Sequence, residues 1–309
     1  MAAWNELLNE TKAQGSVHDV IRRRYLRRLS NHTKRNTIIY YSGWLQKPQL
    51  QREPAVNLGI SDADKNGFMS VIHRLDRSKG LDLLLHTPGG DMAATESLVD
   101  YLRAMFGNDI RAIIPQLAMS GGTIIALSCN KIVMGKESSI GPIDPQFGPM
   151  AANGLLQEFN RIRAEIKEDP KNALLWEPVL RKISPGFITE CENAIAWSHE
   201  MATRFLKSNM FQGDKSAKKK IDQIIRHLTD KESTKTHGRH ISLDEAKSIF
   251  GDHIVELEGD QKFQDLVLTV HHAAIITLGA TQCYKMIENQ TGRAFMQAAQ
   301  TQLVQVPSS

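Results

Sequence analysis

The segment Ala118-Met119-Ser120-Gly121-Gly122 lies between an apolar run at 110–115 and a short apolar stretch that ends at Ser128. Read as strand and helix, these runs place Ser120 at a helix N-terminus. Free N–H groups and the helix dipole there favour developing negative charge. A hydroxyl between small residues can reach a carbonyl carbon without obstruction. Upstream, Pro88-Gly89-Gly90 follows the apolar run 81–86. Glycines at that point permit positive φ and let a substrate backbone come close. Their N–H groups, at the carboxyl end of a strand, face the crevice where α/β sheets bind ligands. The Gly121 N–H, with that of Gly89 or Gly90, makes an oxyanion hole, worth roughly 3 kcal/mol per donor. The chemistry described is acyl transfer to a serine. Each motif also has a plainer reading: Pro-Gly-Gly as a turn and nothing more, and Ser120 as an N-cap residue. The pattern is not a G-x-S-x-G elbow, because Met119 precedes the serine and Ala118 replaces the first glycine.

A serine hydroxyl is a poor nucleophile without a base. His237-Gly-Arg-His240 offers two imidazoles in a polar stretch. That spacing also suits a metal pair, but no carboxylate stands close in sequence, so no metal is expected. His86, beside the Pro-Gly-Gly turn, either lines the cleft or packs at the strand end. Asp144, between Pro142 and Pro145, either orients a partner or caps a turn. His271-His272 reads as core or helix surface.

Elements that would position these residues follow from periodicity. Residues 36–42 (NTIIYYS) are β-branched and aromatic, as strands are. Residues 66–78 carry Phe68, Val71, Ile72 and Leu75 at a helical period. The run 81–86 (LDLLLH) is dominated by leucine, as buried parallel strands are by apolar residues. A helix over 91–106 is capped by Gly107, and strands follow at 110–115 and 131–134 with the short helix after Ser120 between them. This alternation predicts βαβ units and a mainly parallel sheet. After Met150 the pattern turns helical, at 154–168, 173–182, 187–207 and 216–228. Residues 231–240 read as a loop. Ser242 before Glu245 begins a helix to 250, 254–257 is a short strand, and 266–278 is either strand or buried helix.

Of the 309 residues, 41% are hydrophobic and 23% charged, enough apolar material for a large core. A net charge of +4 is too mild to imply nucleic acid. Three scattered cysteines (Cys129, Cys191, Cys283) without a C-x-x-C argue against a disulfide framework or zinc knuckle and fit a reducing cytoplasm. The first ten residues lack a basic region followed by an apolar one, so no signal peptide is expected. No stretch reads as the roughly 18 apolar residues that span a bilayer. The basic residues between Arg22 and Arg35 read first as a solvated helix face, and second as a contact for anionic headgroups.

The stretches HTPGGDMAATESLVDYLR (86–103) and IIPQLAMSGGTIIALSCNKIVMGKESSIGPIDPQFG (113–148) resemble the serine dehydrogenase proteinase family. That family is related to signal peptide peptidase A and to the Clp proteolytic subunit. The resemblance is specific over about 80–150 and looser over 17–80 and 180–260. It implies the Clp-protease/crotonase superfold, a spiral of ββα units, here with additional C-terminal helices. It also implies self-assembly and ATP-independent serine peptidase chemistry without a cofactor. Ser120 matches the family's nucleophile, and Gly90 and Gly121 its oxyanion donors. In the Clp subunit a histidine follows the serine by about one helix and one strand; the matching region, 139–146, has none. In signal peptide peptidase A the base is a lysine at the end of a later long helix, and Lys207 stands in a comparable place. A buried lysine there would have a pKa lowered toward neutrality. Lys207 nevertheless falls off the apolar face formed by Cys191, Ile195, Ser198, Ala202 and Phe205, where a solvated lysine is the plain reading.

The expectation is therefore a peptidase acting on peptide or protein substrates. Its parts are a basic helical extension (1–35), a catalytic domain (36–280) and a C-terminal tail (281–309). Two alternatives share the superfold: a crotonase-type acyl-CoA enzyme and a non-catalytic oligomeric scaffold. The family's name is no sign of dinucleotide binding, since no G-x-G-x-x-G follows a strand.

Overall fold

The computed structural model describes residues 18–148, 150–229 and 238–299. The chain enters through helix α1 (His18–Thr33) and strand β1 (Asn36–Ser42). Helix α2 (Asp62–Ile72) begins earlier than the apolar period suggests. Its start is set by Ser61 and Asp64, which form a reciprocal capping box. Strand β2 (Leu81–His86), helix α3 (Met92–Phe106), strands β3 (Ile110–Ile114) and β4 (Leu117–Ala118), helix α4 (Gly121–Leu127) and strand β5 (Lys131–Met134) follow in the expected alternation. The Asp91 carboxylate caps α3 by accepting from the Ala94 N–H, and Gly107 ends it at φ 60°.

Three two-residue strands come next: β6 (Ser139–Ile140), β7 (Gln146–Phe147) and β8 (Met150–Ala151). Helices α5 (Ala152–Glu168), α6 (Asn172–Leu180), α7 (Phe187–Ser208) and α8 (Ala217–Thr229) make up the helical part. The chain returns through α9 (Leu243–Phe250), strand β9 (Ile254–Glu256) and helix α10 (Gln261–Ala280), then ends in strands β10 (Cys283–Asn289) and β11 (Ala294–Ala298).

The main sheet has seven strands in the order β11-β10-β1-β2-β3-β5-β9. Its five strands from β1 to β9 are mutually parallel; β10 pairs antiparallel with both β1 and β11. Strand alternation sends neighbouring side chains to opposite faces. One face carries Ile38, Tyr40, Leu83, Leu85, Ala112 and Ile114 against α2, α3 and α4. The other carries Ile39, Tyr41, Leu84 and Ile113 against α1 and α10.

Two expectations change. Residues 283–298 are not a tail: β10 is buried along its whole length and completes the sheet beside β1. Its charged residues disguise it, because they are paired inside. Glu288 meets buried Arg22 and half-exposed Arg23. Nor does α1 behave as a separate extension, since it packs along α10 and its Arg22 is fully buried. Arg35 is likewise held internally, by Asp82 at 2.8 Å and Asp109 at 2.7 Å. Of the basic block, Arg27, Arg28 and Lys34 are exposed. The region 266–278 resolves to helix: α10 is capped by Asp260, whose carboxylate accepts from the Phe263 N–H. By length and mean hydropathy α10 is apolar enough to cross a membrane, yet it is packed between α1 and the sheet.

Candidate active site

The two glycine turns meet at the carboxyl ends of β2 and β3. Leaving β2, the chain runs alongside Ile60: the Ile60 N–H donates to the Gly89 carbonyl at 2.7 Å, and the Asp91 N–H donates to the Ile60 carbonyl at 2.9 Å. The stretch is thus one parallel bridge, Ile60 to Gly90, that leaves the Gly90 N–H turned away from it. A Cβ on Gly90 would fall inside the Ile60 backbone. A Cβ on Gly89, where φ is 96°, would come within 2.6 Å of the Ser120 Cβ and 2.9 Å of the Gly121 nitrogen. Only glycine allows the loop this close to the serine.

Ser120 itself adopts φ 49° and ψ −113°, the first central position of a type II′ turn. The turn is closed by the Gly122 N–H donating to the Met119 carbonyl at 2.8 Å. A non-glycine residue there costs about 1–3 kcal/mol and persists only when its surroundings over-determine it. They do. The Met119 N–H donates to the Thr87 carbonyl at 3.0 Å, and the Thr87 N–H to the Leu117 carbonyl at 3.1 Å. Thr123, in the first turn of α4, donates to the carbonyls of Ala118 and Gly141, and its hydroxyl accepts from the Gly141 N–H. The Ser120 side chain makes no capping bond to α4. Ser120 thus stands at the N-cap position of α4 without using its side chain as a cap, and the residue is left half-exposed at the turn. Among the described residues, the Gly90 and Gly121 N–H groups donate to no protein acceptor.

A cleft of about 310 Å³ opens over this point. Its lining includes Gly90, Ser120 and Gly121 on one side, and the 143–147 segment with Ala194 and Trp197 of α7 on the other. The 141–146 segment is fixed from below: the Ile143 N–H donates to the Leu228 carbonyl at 3.1 Å, and the Ser198 hydroxyl to the Ile143 carbonyl at 2.8 Å. Asp144 is buried in the cleft wall, where its carboxylate accepts from the Gln146 side-chain amide at 2.9 Å. Phe147, part of the lining, meets Phe187 edge-on at 5.3 Å. The titratable residues among the described lining are Asp91, occupied in capping α3, and Asp144.

Ser120, Gly89, Gly90 and Gly121 are thus brought together. Lys207 is not brought to them. Helix α7 runs beside α3 in the same direction, with Trp197 on Glu96, Arg204 on Glu96 and Asp100, and Ser208 on Arg103. Lys207 is therefore exposed near the C-terminal end of α3, ten residues and roughly 15 Å along α7 from Trp197 at the cleft. His240 is exposed and adjoins Ile241, which pairs with Ile140. His237 lies outside the described residues. His86 does not line the cleft. It is fully buried on the other face of the sheet, beside Trp44, Tyr41 and His271, and burial pushes its pKa down to about 3. Among the described residues no cluster of three or more histidines, cysteines or carboxylates is arranged to hold a metal.

Sequence reasoning missed the Gly59-Ile60-Ser61 segment and Trp197. The first carried a signal, the Ser61/Asp64 capping box, which marks a fixed chain entry rather than a free loop. Trp197 carried none, because it sits on the polar side of its helix.

A family model described as ClpP-like SDH-type serine proteinase matches residues 7–255. Uncharacterized protein MJ0137 of Methanocaldococcus jannaschii is 28% identical over 235 residues, covering 74% of this chain and 71% of that protein. Uncharacterized protein MJ1495 of the same organism is 28% identical over 190 residues, covering 62% of this chain and 57% of that protein. Among solved structures, a mutant of the 1510-N membrane-bound stomatin-specific protease is similar at 17% identity and TM-score 0.37, over 64% of this chain and 74% of that one. A second mutant of that protease, in complex with a substrate peptide, is similar at 21% identity and TM-score 0.26, over 69% and 94%.

Proposed function

The chain belongs to the ClpP-like SDH-type serine proteinases, and we propose that it hydrolyses peptide bonds through an acyl-enzyme formed on Ser120. The observation that carries this assignment is the backbone of Ser120: a positive φ in a non-glycine residue, with no capping bond, beside two outward N–H groups. The Ser120 oxygen attacks the scissile carbonyl carbon, and its proton goes to a base, a role for which the described cleft lining offers the Asp144 carboxylate. The carbonyl oxygen, now an anion, is held by the N–H groups of Gly90 and Gly121. The C–N bond then breaks, the amine leaves with a proton, and the peptide remains as an ester on Ser120. Water adds to that ester, releases the carboxylate product and restores the hydroxyl.

Family membership favours the peptidase over the acyl-CoA enzyme and the scaffold. In the same reading, the sheet and its crossovers are the ββα spiral of the Clp/crotonase superfold, the protein assembles with copies of itself, and Arg27, Arg28 and Lys34 are the residues left for any contact with anionic headgroups. Replacing Ser120 by alanine tests the assignment. Hydrolysis of an unstructured peptide is expected to fall by on the order of 10³-fold or more, with the fold intact by circular dichroism. Undiminished turnover in the variant would remove Ser120 from the chemistry.

A further inference from the structure

Lys285 stands on β10, beyond the residues that match the family model. It is 1% exposed, and lysines are almost never so buried unless paired. Its Nζ lies 3.1 Å from both carboxylate oxygens of fully buried Asp64 and donates to the Gly59 carbonyl at 2.6 Å. Asp64 also accepts from the Tyr40 hydroxyl at 2.8 Å and from the Ser61 N–H at 2.9 Å. Every polar group in this cluster has a partner.

Two arms lead from the cluster to the oxyanion loop. One passes through the backbone: Lys285 fixes Gly59, the next residue is Ile60, and Ile60 is zipped to Gly89 and Asp91 on either side of Gly90. The other passes through Asp64, whose carboxylate accepts from the Tyr40 hydroxyl and from the N–H of Ser61, the residue after Ile60. Both arms end on the two neighbours of Ile60, the residue whose backbone pairs on either side of the Gly90 N–H. A buried ion pair is weak evidence for stability, because apolar substitutes of the same volume often serve as well. An oxyanion donor, by contrast, depends on being held at the place where charge develops, and a misplacement of about 1 Å is costly.

We propose that Lys285, Asp64 and Tyr40 are positioning residues that hold the Gly89–Gly90 amides in register with Ser120. This rests on the reading of Ser120 as nucleophile and Gly90 as an oxyanion donor. It extends the functional site to a strand that none of the catalytic motifs includes.

The test uses the full chain and two variants. Lys285→Met removes the ammonium. Tyr40→Phe removes only the hydroxyl that donates to Asp64 and keeps the ring's packing, so it remains informative if Lys285→Met does not fold. In the folded variant, kcat for an unstructured peptide and the rate of fluorophosphonate labelling at Ser120 are expected to fall roughly 10- to 100-fold, less than the on-the-order-of 10²- to 10³-fold loss on deleting a donor outright. KM is expected to stay within about twofold, since the loop's effect is confined to the charged transition state. Wild-type kcat and labelling in Tyr40→Phe, with only a lowered melting temperature, would overturn the inference and leave the Ser120 assignment standing. Wild-type labelling in Ser120→Ala would overturn both.

Discussion

Tyr40 and Tyr41 are neighbours on β1, and the two faces of the sheet treat them differently. Tyr40 enters a cluster in which hydroxyl, carboxylate, ammonium and backbone groups are all paired, and the cluster holds Gly59, next to the Ile60 that pairs with the turn at Gly90. Tyr41 enters a cluster of rings on the other face. Its hydroxyl meets His271 at 3.1 Å, and both nitrogens of buried His86 lack a hydrogen-bond partner among the described residues. The two pockets are about equally buried. A fully paired cluster holds chain segments in one geometry, which is what the oxyanion loop needs. An unpaired buried imidazole fixes no geometry and is kept uncharged by its surroundings. Polar groups buried behind the cleft therefore serve position, whereas those on the far face leave a pH liability.

The largest effect of a single substitution is expected on the cleft side. Gly90→Ala would drive a methyl group into the backbone of Ile60. Activity on a peptide substrate is expected to fall by on the order of 10²-fold or more, measured as kcat/KM on folded protein. Retention of activity would mean that the Ile60 pairing does not set the donor.

The far face is sharpened by acid. Burial holds the His86 pKa at about 3, well below the ordinary 6.5 of a histidine in the unfolded chain. Between those values the unfolded state binds a proton that the folded state refuses. Stability is therefore lost as pH falls from 6.5 toward 3, by about 1.4 kcal/mol per pH unit for this one group. Replacing His86 by phenylalanine is expected to make the acid limb shallower by that amount, read from urea unfolding at pH 7 and pH 4.5. His271, whose pKa burial and the neighbouring His86 also lower, keeps a part of the slope. An unchanged slope would show that His86 is not the acid-sensitive group.

The smallest effect is expected at Lys207. Exposed at the far end of α7, it should be replaceable by methionine with kcat within about twofold and stability within about 0.5 kcal/mol. A loss of turnover would bring this helix end into the chemistry after all.

The cleft side was legible in the sequence where local chemistry and spacing coincide. Apolar runs at 81–86 and 110–114 announce buried parallel strands, and glycines directly after them announce turns that must come close. The backbone conformation of Ser120 was not legible, because a serine before two glycines fits a side-chain cap equally well; only φ separates the two. Strand β10 was hidden by its composition. Lys285 and Glu288 read as surface residues, and nothing local shows that Asp64 and Arg22, more than 200 positions away, neutralise them. Helix α10 was ambiguous because a helix buried on most sides loses the 3.6-residue stripe that marks an amphipathic one. The base was the least legible part. Basic residues are common on helix ends and loops, and Asp144, between two prolines, fits an orienting group and a turn cap equally well; its place in the cleft lining appears only in the fold.

The proposed role of Ser120 as nucleophile is read out by labelling the folded chain with a fluorophosphonate, followed by peptide mapping by mass spectrometry. One adduct is expected, on Ser120, absent from Ser120→Ala and absent when the chain is denatured before labelling. An adduct on another residue, or equal labelling of the Ser120→Ala variant, would contradict it.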